Sequence, residues 1–393
     1  MAYVSLSLNV PDAVVAALAG GRPVIALSEI PQRLDLAAGR PVRLLDARGQ
    51  ELAVGIADPE NEVIRIYAKS AVPFNAGFFR RRVDAAIALR RQLGLLGTTT
   101  CRILHGEGDW LSGFSADLFG PFAVLWVYSR ALIEHGREIA AGLREALGLR
   151  GVVLKLRPKG GGTAGAVKQE TVGEEPPEKI TVYEHGVPYE VHLLGGLNVG
   201  LFTDMREHRR GLARFTSGRR VLNGFAYTGS LSVAAALGGA TLVTSVDLSS
   251  GVLKWAAENF RLSGLDPAAH RFEVSDVPRW VERAVKAGEK FDLVILDPPT
   301  FSTARASGWA IKSDYAPLIA SAISLFPEDT GGILWISANT VGEQRLARFL
   351  DEGIKRAGRR VQILELGGLP PDYPTLPAYP ESRYLEVCLV RVT

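Results

Sequence analysis

Two kinds of apolar pattern alternate along the C-terminal half of this chain. Short continuous apolar runs are separated by longer stretches in which apolar residues recur at helical spacing. That alternation predicts a mainly parallel sheet with helices on both faces, an α/β fold of Rossmann-like type. Strands are expected at Val221–Leu222, Ala240–Asp247, His270–Asp276, Phe291–Leu296, Gly331–Ser337 and Arg383–Val392. Asn223–Ser230 reads as a loop, and Leu231–Leu237 as a helix with Ser230 as its N-cap. The first 72 residues look different. They read as short strands broken by turns, and a small β-barrel fits. Val42–Gly55 predicts a hairpin with Ala47, Arg48 and Gly49 at its tip, and Asn61–Ala68 alternates like a half-buried strand. Phe74 to about Leu95 contains an amphipathic helix. Phe122–Val127 reads as a strand and Ile133–Leu147 as a helix. Pro158–Pro177, rich in Gly, Glu and Thr, reads as a mobile loop or linker. Three domains follow: 1–72, 73–194 and 195–393.

Composition agrees and excludes little. The chain has 393 residues and a net charge of +3. Its length exceeds one compact core. Mild basicity neither demands nor excludes a nucleic-acid partner, so local patches decide. Its two cysteines, Cys101 and Cys388, form no C-x-x-C. A disulfide framework and a structural zinc site are not expected, and no other metal is. His105, Glu107 and Asp109 sit among glycines and read as a polar turn rather than a metal site. No long apolar run or signal-like segment occurs, so a cytoplasmic protein without a membrane partner is expected.

The chemistry concentrates at strand ends. Asp297-Pro298-Pro299-Thr300-Phe301 closes a buried strand with two prolines, which cannot continue the ladder. Open α/β sheets bind ligands at the carboxyl ends of their strands. A rigid turn there, with exposed carbonyls and an aromatic ring, suits a flat, polar-edged base; a plain strand exit reads the same. The loop Asn223–Ser230 follows the sheet's first strand, yet G-x-G-x-x-G is absent, so pyrophosphate binding is not supported. The second strand ends in Asp247, placed to bind ribose hydroxyls. The third ends in Asp276, placed to accept from an adenine amino group. Either acid could instead cap a helix. Together, without a phosphate loop, they describe a nucleoside lacking phosphates, such as S-adenosylmethionine.

At these motifs the sequence resembles the class I S-adenosylmethionine-dependent methyltransferases of large-subunit (23S) ribosomal RNA. The resemblance rests on Gly195–Arg206, Asn223–Gly229, Asp247, Trp255–Asn259, Asp276, Asp297–Phe301 and Pro380–Leu385. It implies an N-terminal PUA domain, a small middle α+β domain and a C-terminal Rossmann-like catalytic domain. It also implies a cofactor pocket lined by Phe202, Asp204, Arg206, Asn223, Phe225, Tyr227, Thr228, Gly229, Asp247, Asp276 and Asp297. Asp297, Pro298, Pro299, Phe301 and Asn339 would meet the target base. Arg80, Arg81 and Arg82, in the arginine-rich helix with Arg90 and Arg91, could contact RNA phosphates or form a solvated face. Ribosomal RNA is the implied partner, and a homodimer is compatible with it.

The sequence departs from that family at two places. Members that methylate cytosine carbon 5 use a cysteine just after the strand ending at Ser337, to attack the ring and activate it. Here Ser337-Ala338-Asn339 follows instead. A ring nitrogen such as guanine N7 carries a free lone pair and needs no such group. The branch that methylates N7 carries Asp-Pro-Pro-Thr-Phe-Ser and an Asn at this place, as do Asp297–Ser302 and Asn339. A nitrogen target is therefore favoured over carbon 5. The second departure is Glu386, where family members usually carry Lys. A silent RNA-binding module, or an enzyme acting on proteins or small molecules, would be the readings from other classes.

Overall fold

The computed structural model describes residues 6–31, 36–97, 100–157, 168–196, 198–299, 309–339 and 345–393. The chain forms two compact units. One comprises Met1–Val182, His192–Val199 and Pro371–Ser382; the other comprises Tyr183–Val191, Gly200–Pro370 and Arg383–Thr393. The unit change therefore does not fall at one point near residue 195.

The first unit contains two five-stranded sheets. The N-terminal one is built from β1 (Leu6–Asn9), β2 (Val24–Ala26), β3 (Pro41–Leu45), β4 (Glu51–Asp58) and β5 (Val63–Ala68), in the order β1-β3-β4-β5-β2. The β3–β4 hairpin turns where expected, and Asp46 fixes its tip by accepting from the N–H groups of Arg48 and Gln50. A helix that the pattern did not announce, α1 (Asp12–Ala19), also belongs here. Pro11 and Gly20 bound it, and it buries Val14 and Leu18. Strand β5 does not alternate as expected. Ile64, Arg65, Ile66 and Tyr67 are all buried. Arg65 is tolerated there because it donates to Asp58 at 2.8 Å and to Ser112 at 3.1 Å.

The second sheet follows α2 (Ala76–Gln92). It comprises β6 (Cys101–His105), β7 (Phe114–Phe119), β8 (Phe122–Val127), β9 (Gly151–Leu156) and β10 (Gln169–Gly173), with α3 (Ile133–Leu147) before β9. Strand β10 lies inside the stretch expected to be a linker and pairs antiparallel with β9. Residues 158–167 of that stretch lie outside the described residues. Phe79, Val83 and Ile87 of α2 pack with Ile139 and Leu143 of α3 in one core. Arg90 is not a surface charge: it is fully buried and binds Asp109 at 2.7 Å, with further bonds to the carbonyls of Ala86, Arg102 and Asp372. Asp109 also accepts from the His105 N–H. Burial, with Arg102 and Arg90 nearby, holds His105 well below its ordinary pKa. These residues thus make a structural network. Among the described residues, no three His, Cys, Asp or Glu side chains form a metal-binding group.

The second unit begins within the hairpin β11 (Ile180–Glu184) and β12 (Val187–Val191). Its seven-stranded sheet has the order β15-β14-β13-β16-β17-β19-β18. The elements are α4 (Arg206–Leu212), β13 (Arg220–Gly224), α5 (Ser230–Leu237), β14 (Leu242–Asp247), α6 (Ser250–Leu262), β15 (Arg271–Val274), α7 (Val277–Lys286), β16 (Leu293–Leu296), α8 (Ile311–Ile323), β17 (Gly332–Asn339), α9 (Leu346–Ala357), β18 (Val361–Gly367) and β19 (Leu385–Val392). Strands β13 to β17 are parallel, and β19 is antiparallel to both its neighbours. Helix α7 buries Val277, Trp280, Val281 and Ala284, and α9 buries Leu346, Phe349, Leu350 and Gly353. Both sets are the i, i+3, i+4, i+7 stripe of a helix laid on a sheet. Ser230 is the first helical residue of α5 rather than its cap; Gly229 holds the cap position. Glu386 accepts from Arg345 and from the Leu346 N–H, so the acid satisfies the start of α9.

Removing one partner of a buried ion pair strands the other charge. Asp109→Asn should therefore destabilise the fold by about 3 kcal/mol. The check is a chemical-denaturation midpoint, and an unmoved midpoint would show that Arg90 does not depend on this partner.

Candidate cofactor and active site

Strand β13 lies between β14 and β16, where the strand order reverses direction. That reversal opens a crevice beyond the carboxyl ends of the strands. The turn leaving β13 is tightly specified. Phe225, Tyr227 and Gly229 all have left-handed backbones, with φ of 60°, 49° and 72°. A Cβ on Gly229 would lie 2.7 Å from that of Ala256, so close packing also requires glycine. The Ala226 N–H donates to the Val246 carbonyl, and the Tyr227 N–H donates to Asp247 Oδ2 at 3.0 Å.

Asp247 is half-buried at the end of β14, and its Oδ1 accepts from the Ser249 N–H at 3.0 Å. Two backbone donors thus orient the carboxylate, and each oxygen keeps a second lone pair. Asp276 is half-buried too, and caps α7 by accepting from the Arg279 N–H. Two residues that the sequence reading passed over flank these acids. Leu248 and Val274 are 41% and 57% exposed, unusual for aliphatic side chains at strand ends. Leu248 directly follows Asp247, which was the available signal.

The other expected pocket residues divide. Phe202 is exposed, and its ring sits 5.5 Å from that of Tyr227. Burial pushes the Tyr227 hydroxyl up to about 12, so it stays protonated. Asp204 accepts from the Tyr384 hydroxyl at 2.8 Å. The side chains of Asn223, Thr228 and Arg206 are buried rather than exposed to the crevice mouth. Asn223 donates to Ser232, Thr228 donates to the Gly200 carbonyl, and Arg206 meets Glu207 at 3.0 Å. Asn259 donates to the Thr228 carbonyl. Arg209, not singled out in the sequence, is buried with Glu184 and also donates to the Phe202 carbonyl.

Asp297 follows β16. The Ser337 hydroxyl donates to its Oδ1. Withdrawal from water raises its pKa to about 6, the Ser337 bond opposes the rise, and the neighbouring charge of Asp204 adds to it. The Tyr315 hydroxyl lies 3.0 Å from the Leu296 carbonyl and 2.8 Å from that of Ser337, joining the ends of β16 and β17. Trp309 donates to the Pro299 carbonyl and packs against Phe225. Pro298 is buried, Pro299 exposed, and Asn339 exposed at the end of β17. Phe301 lies outside the described residues.

The expected RNA-contacting arginines of α2 also divide. Arg80 binds Asp84 and Glu145, and Arg82 donates to the Tyr67 carbonyl beside the Phe78 ring. Arg81 and Arg91 are exposed.

Residues 146–382 match the family model of the S-adenosylmethionine-dependent methyltransferases. The chain belongs to that family. The methyltransferase is 32% identical over 323 residues to a provisionally named ribosomal RNA large subunit methyltransferase of Bacillus subtilis, YwbD, covering 80% of each chain. It is 30% identical over 365 residues to ribosomal RNA large subunit methyltransferase I of Tolumonas auensis, covering 90% of this chain and 91% of that one. Among solved structures it resembles SMU.776, a candidate methyltransferase complexed with SAH. The TM-score is 0.89 and the identity 26%, over 98% of this chain and 100% of the other.

The raised pKa of Asp297 has a consequence for stability. Between its ordinary value of 3.8 and about 6, the folded methyltransferase holds a proton that the unfolded chain has released. Stability from this group therefore falls as pH rises through that window. Asp297→Asn should flatten the dependence. Denaturation midpoints of both proteins at about pH 4 and about pH 7 give the answer. An equal pH response in the variant would contradict the assignment.

Proposed function

We propose that this methyltransferase modifies a base of 23S ribosomal RNA, at a ring nitrogen such as guanine N7. The cofactor, S-adenosylmethionine, supplies an electrophilic methyl group on a sulfonium centre. The chain's residues fit such a ligand. Asp247 offers oriented lone pairs to two ribose hydroxyls. Asp276 offers an acceptor to an adenine amino group, and the exposed Leu248 and Val274 offer apolar surface to the ring. Phe202, Phe225, Tyr227, Gly229 and Asp204 line the approach from the β13 turn, with Asn223 and Thr228 holding that turn in shape and the buried Arg206 at the start of α4.

Methyl transfer to a lone pair needs alignment and exclusion of water more than acid-base power. Asp297 holds the edge of the target base, with Ser337 fixing its carboxyl. Near neutral pH this acid can be neutral or ionised, so it can donate to or accept from a base edge. Pro298 and Pro299 keep that turn rigid, and Asn339 meets the polar edge of the base. The N-terminal five-stranded sheet serves as a PUA-like RNA-binding module, with Arg81 reaching phosphates and Arg80 and Arg82 beside it.

One observation carries the choice of nitrogen over cytosine carbon 5. Both cysteines are buried in apolar cores, and burial pushes the Cys388 thiol up to about 11. A thiolate nucleophile for covalent ring activation is thus missing from the crevice. The test is nucleoside mass spectrometry of 23S ribosomal RNA from a strain lacking this gene, complemented with the wild type or with Cys101→Ser/Cys388→Ser. One methylated purine should vanish with the gene and return with both proteins. A methylcytosine restored only by the wild type would overturn the nitrogen assignment. An unchanged nucleoside profile would overturn the RNA target.

A further inference from the structure

Within the first unit lies a cleft of about 720 Å³ that the proposed chemistry does not use. Its walls come from β3, β4, the segment 71–74 and the start of α3. Pro41, Val54, Val72, Pro73, Phe74 and Ile133 give it apolar sides. Arg43, Arg130, Glu134 and His135 give it a polar rim.

The cleft is held in shape by defined contacts. Arg43 donates to Glu51 at 2.5 Å, and the other oxygen of Glu51 accepts from the Ala71 N–H. That pins the segment carrying Phe74. The Phe74 ring meets Tyr67 and Phe78 edge-on, with centroids 5.5 Å and 5.2 Å away. His135 lies 4.7 Å from the Phe79 ring, which fixes it on α3. Gly39 closes the far side: a Cβ there would come within 2.9 Å of the Ala131 carbonyl oxygen. Arg130 binds Glu60, yet its side chain remains 66% exposed.

We propose that this cleft holds one unpaired nucleotide of the RNA substrate, with its base against Phe74 and its phosphate on Arg130. The inference rests on the RNA reading above. A base has two apolar faces and a polar edge, which matches apolar walls beneath a polar rim. The volume falls in the range of small-ligand pockets. Arg130 gives Glu60 one of its guanidinium N–H groups and stays largely exposed, so other donors of its fork can meet a phosphate. An aromatic platform beside a guanidinium is the usual pairing for single-stranded RNA. Holding one nucleotide here would give the methyltransferase a second grip on its substrate, separate from the target base.

The test uses the full-length protein and transcribed 23S ribosomal RNA containing 4-thiouridine. After ultraviolet crosslinking, peptides spanning 71–74 or 130–135 should carry nucleotide adducts. Phe74→Leu, which keeps apolar bulk, should weaken RNA binding about tenfold. Arg130→Ala should weaken it too, and should lower the slope of log affinity against log salt by about one. S-adenosylhomocysteine affinity should not change in either variant. Full RNA affinity in both variants, or adducts confined to other peptides, would overturn the nucleotide site while leaving the RNA reading standing. A wild-type protein that binds S-adenosylhomocysteine but not this RNA would overturn both.

Discussion

The hydrogen bond from the Tyr227 N–H to Asp247 is the contact on which the proposed site depends. It ties the end of β14 to the turn after β13. That turn carries two non-glycine residues in the left-handed region, each costing about 1–3 kcal/mol. Such a conformation persists only where its surroundings over-determine it. Here the Asp247 carboxylate, the Val246 carbonyl and the Asn259 amide each take or give one bond to the turn. The same carboxylate oxygens that hold the backbone have lone pairs left for a ligand. One group therefore shapes the crevice and presents its chemistry.

The far wall depends on a second clamp. Tyr315, buried beneath the sheet, spans the carbonyls at the ends of β16 and β17. Ser337 at the end of β17 reaches Asp297 at the end of β16. The two strand ends are thus fixed to one another before any substrate arrives. Preorganisation of this kind is what in-line transfer requires, because orientation supplies much of the rate. The cost is a half-buried acid, Asp297, whose pKa is raised to about 6.

Much of this was legible in the sequence, and for physical reasons. A parallel strand buried on both faces is written as a continuous apolar run, so β13, β14, β16 and β17 could be read directly. The acids at their ends stand out against those runs. Other features left weaker marks. Helix α1 is eight residues of mostly apolar composition, too short to show a period, although Pro11 and Gly20 punctuate it. Strand β10 adjoins a glycine-rich stretch and pairs through its backbone, which composition hides. Arg90 looked like its exposed neighbours because a buried charge is recognisable only once Asp109 and the Asp372 carbonyl are placed beside it. The Ser337–Asp297 bond joins residues forty positions apart, so neither could predict the other. Glu386 looked like a departure without purpose until the start of α9 was found against it.

The central claim is that the crevice around Asp247 binds the methyl donor. Calorimetric titration of S-adenosylhomocysteine into the wild type and Asp247→Ala tests it most directly. The account predicts affinity at least about tenfold weaker in the variant, as expected for the loss of charge-assisted bonds to a ligand. Equal affinity in the two proteins, with both folded, would place the cofactor elsewhere and contradict the account.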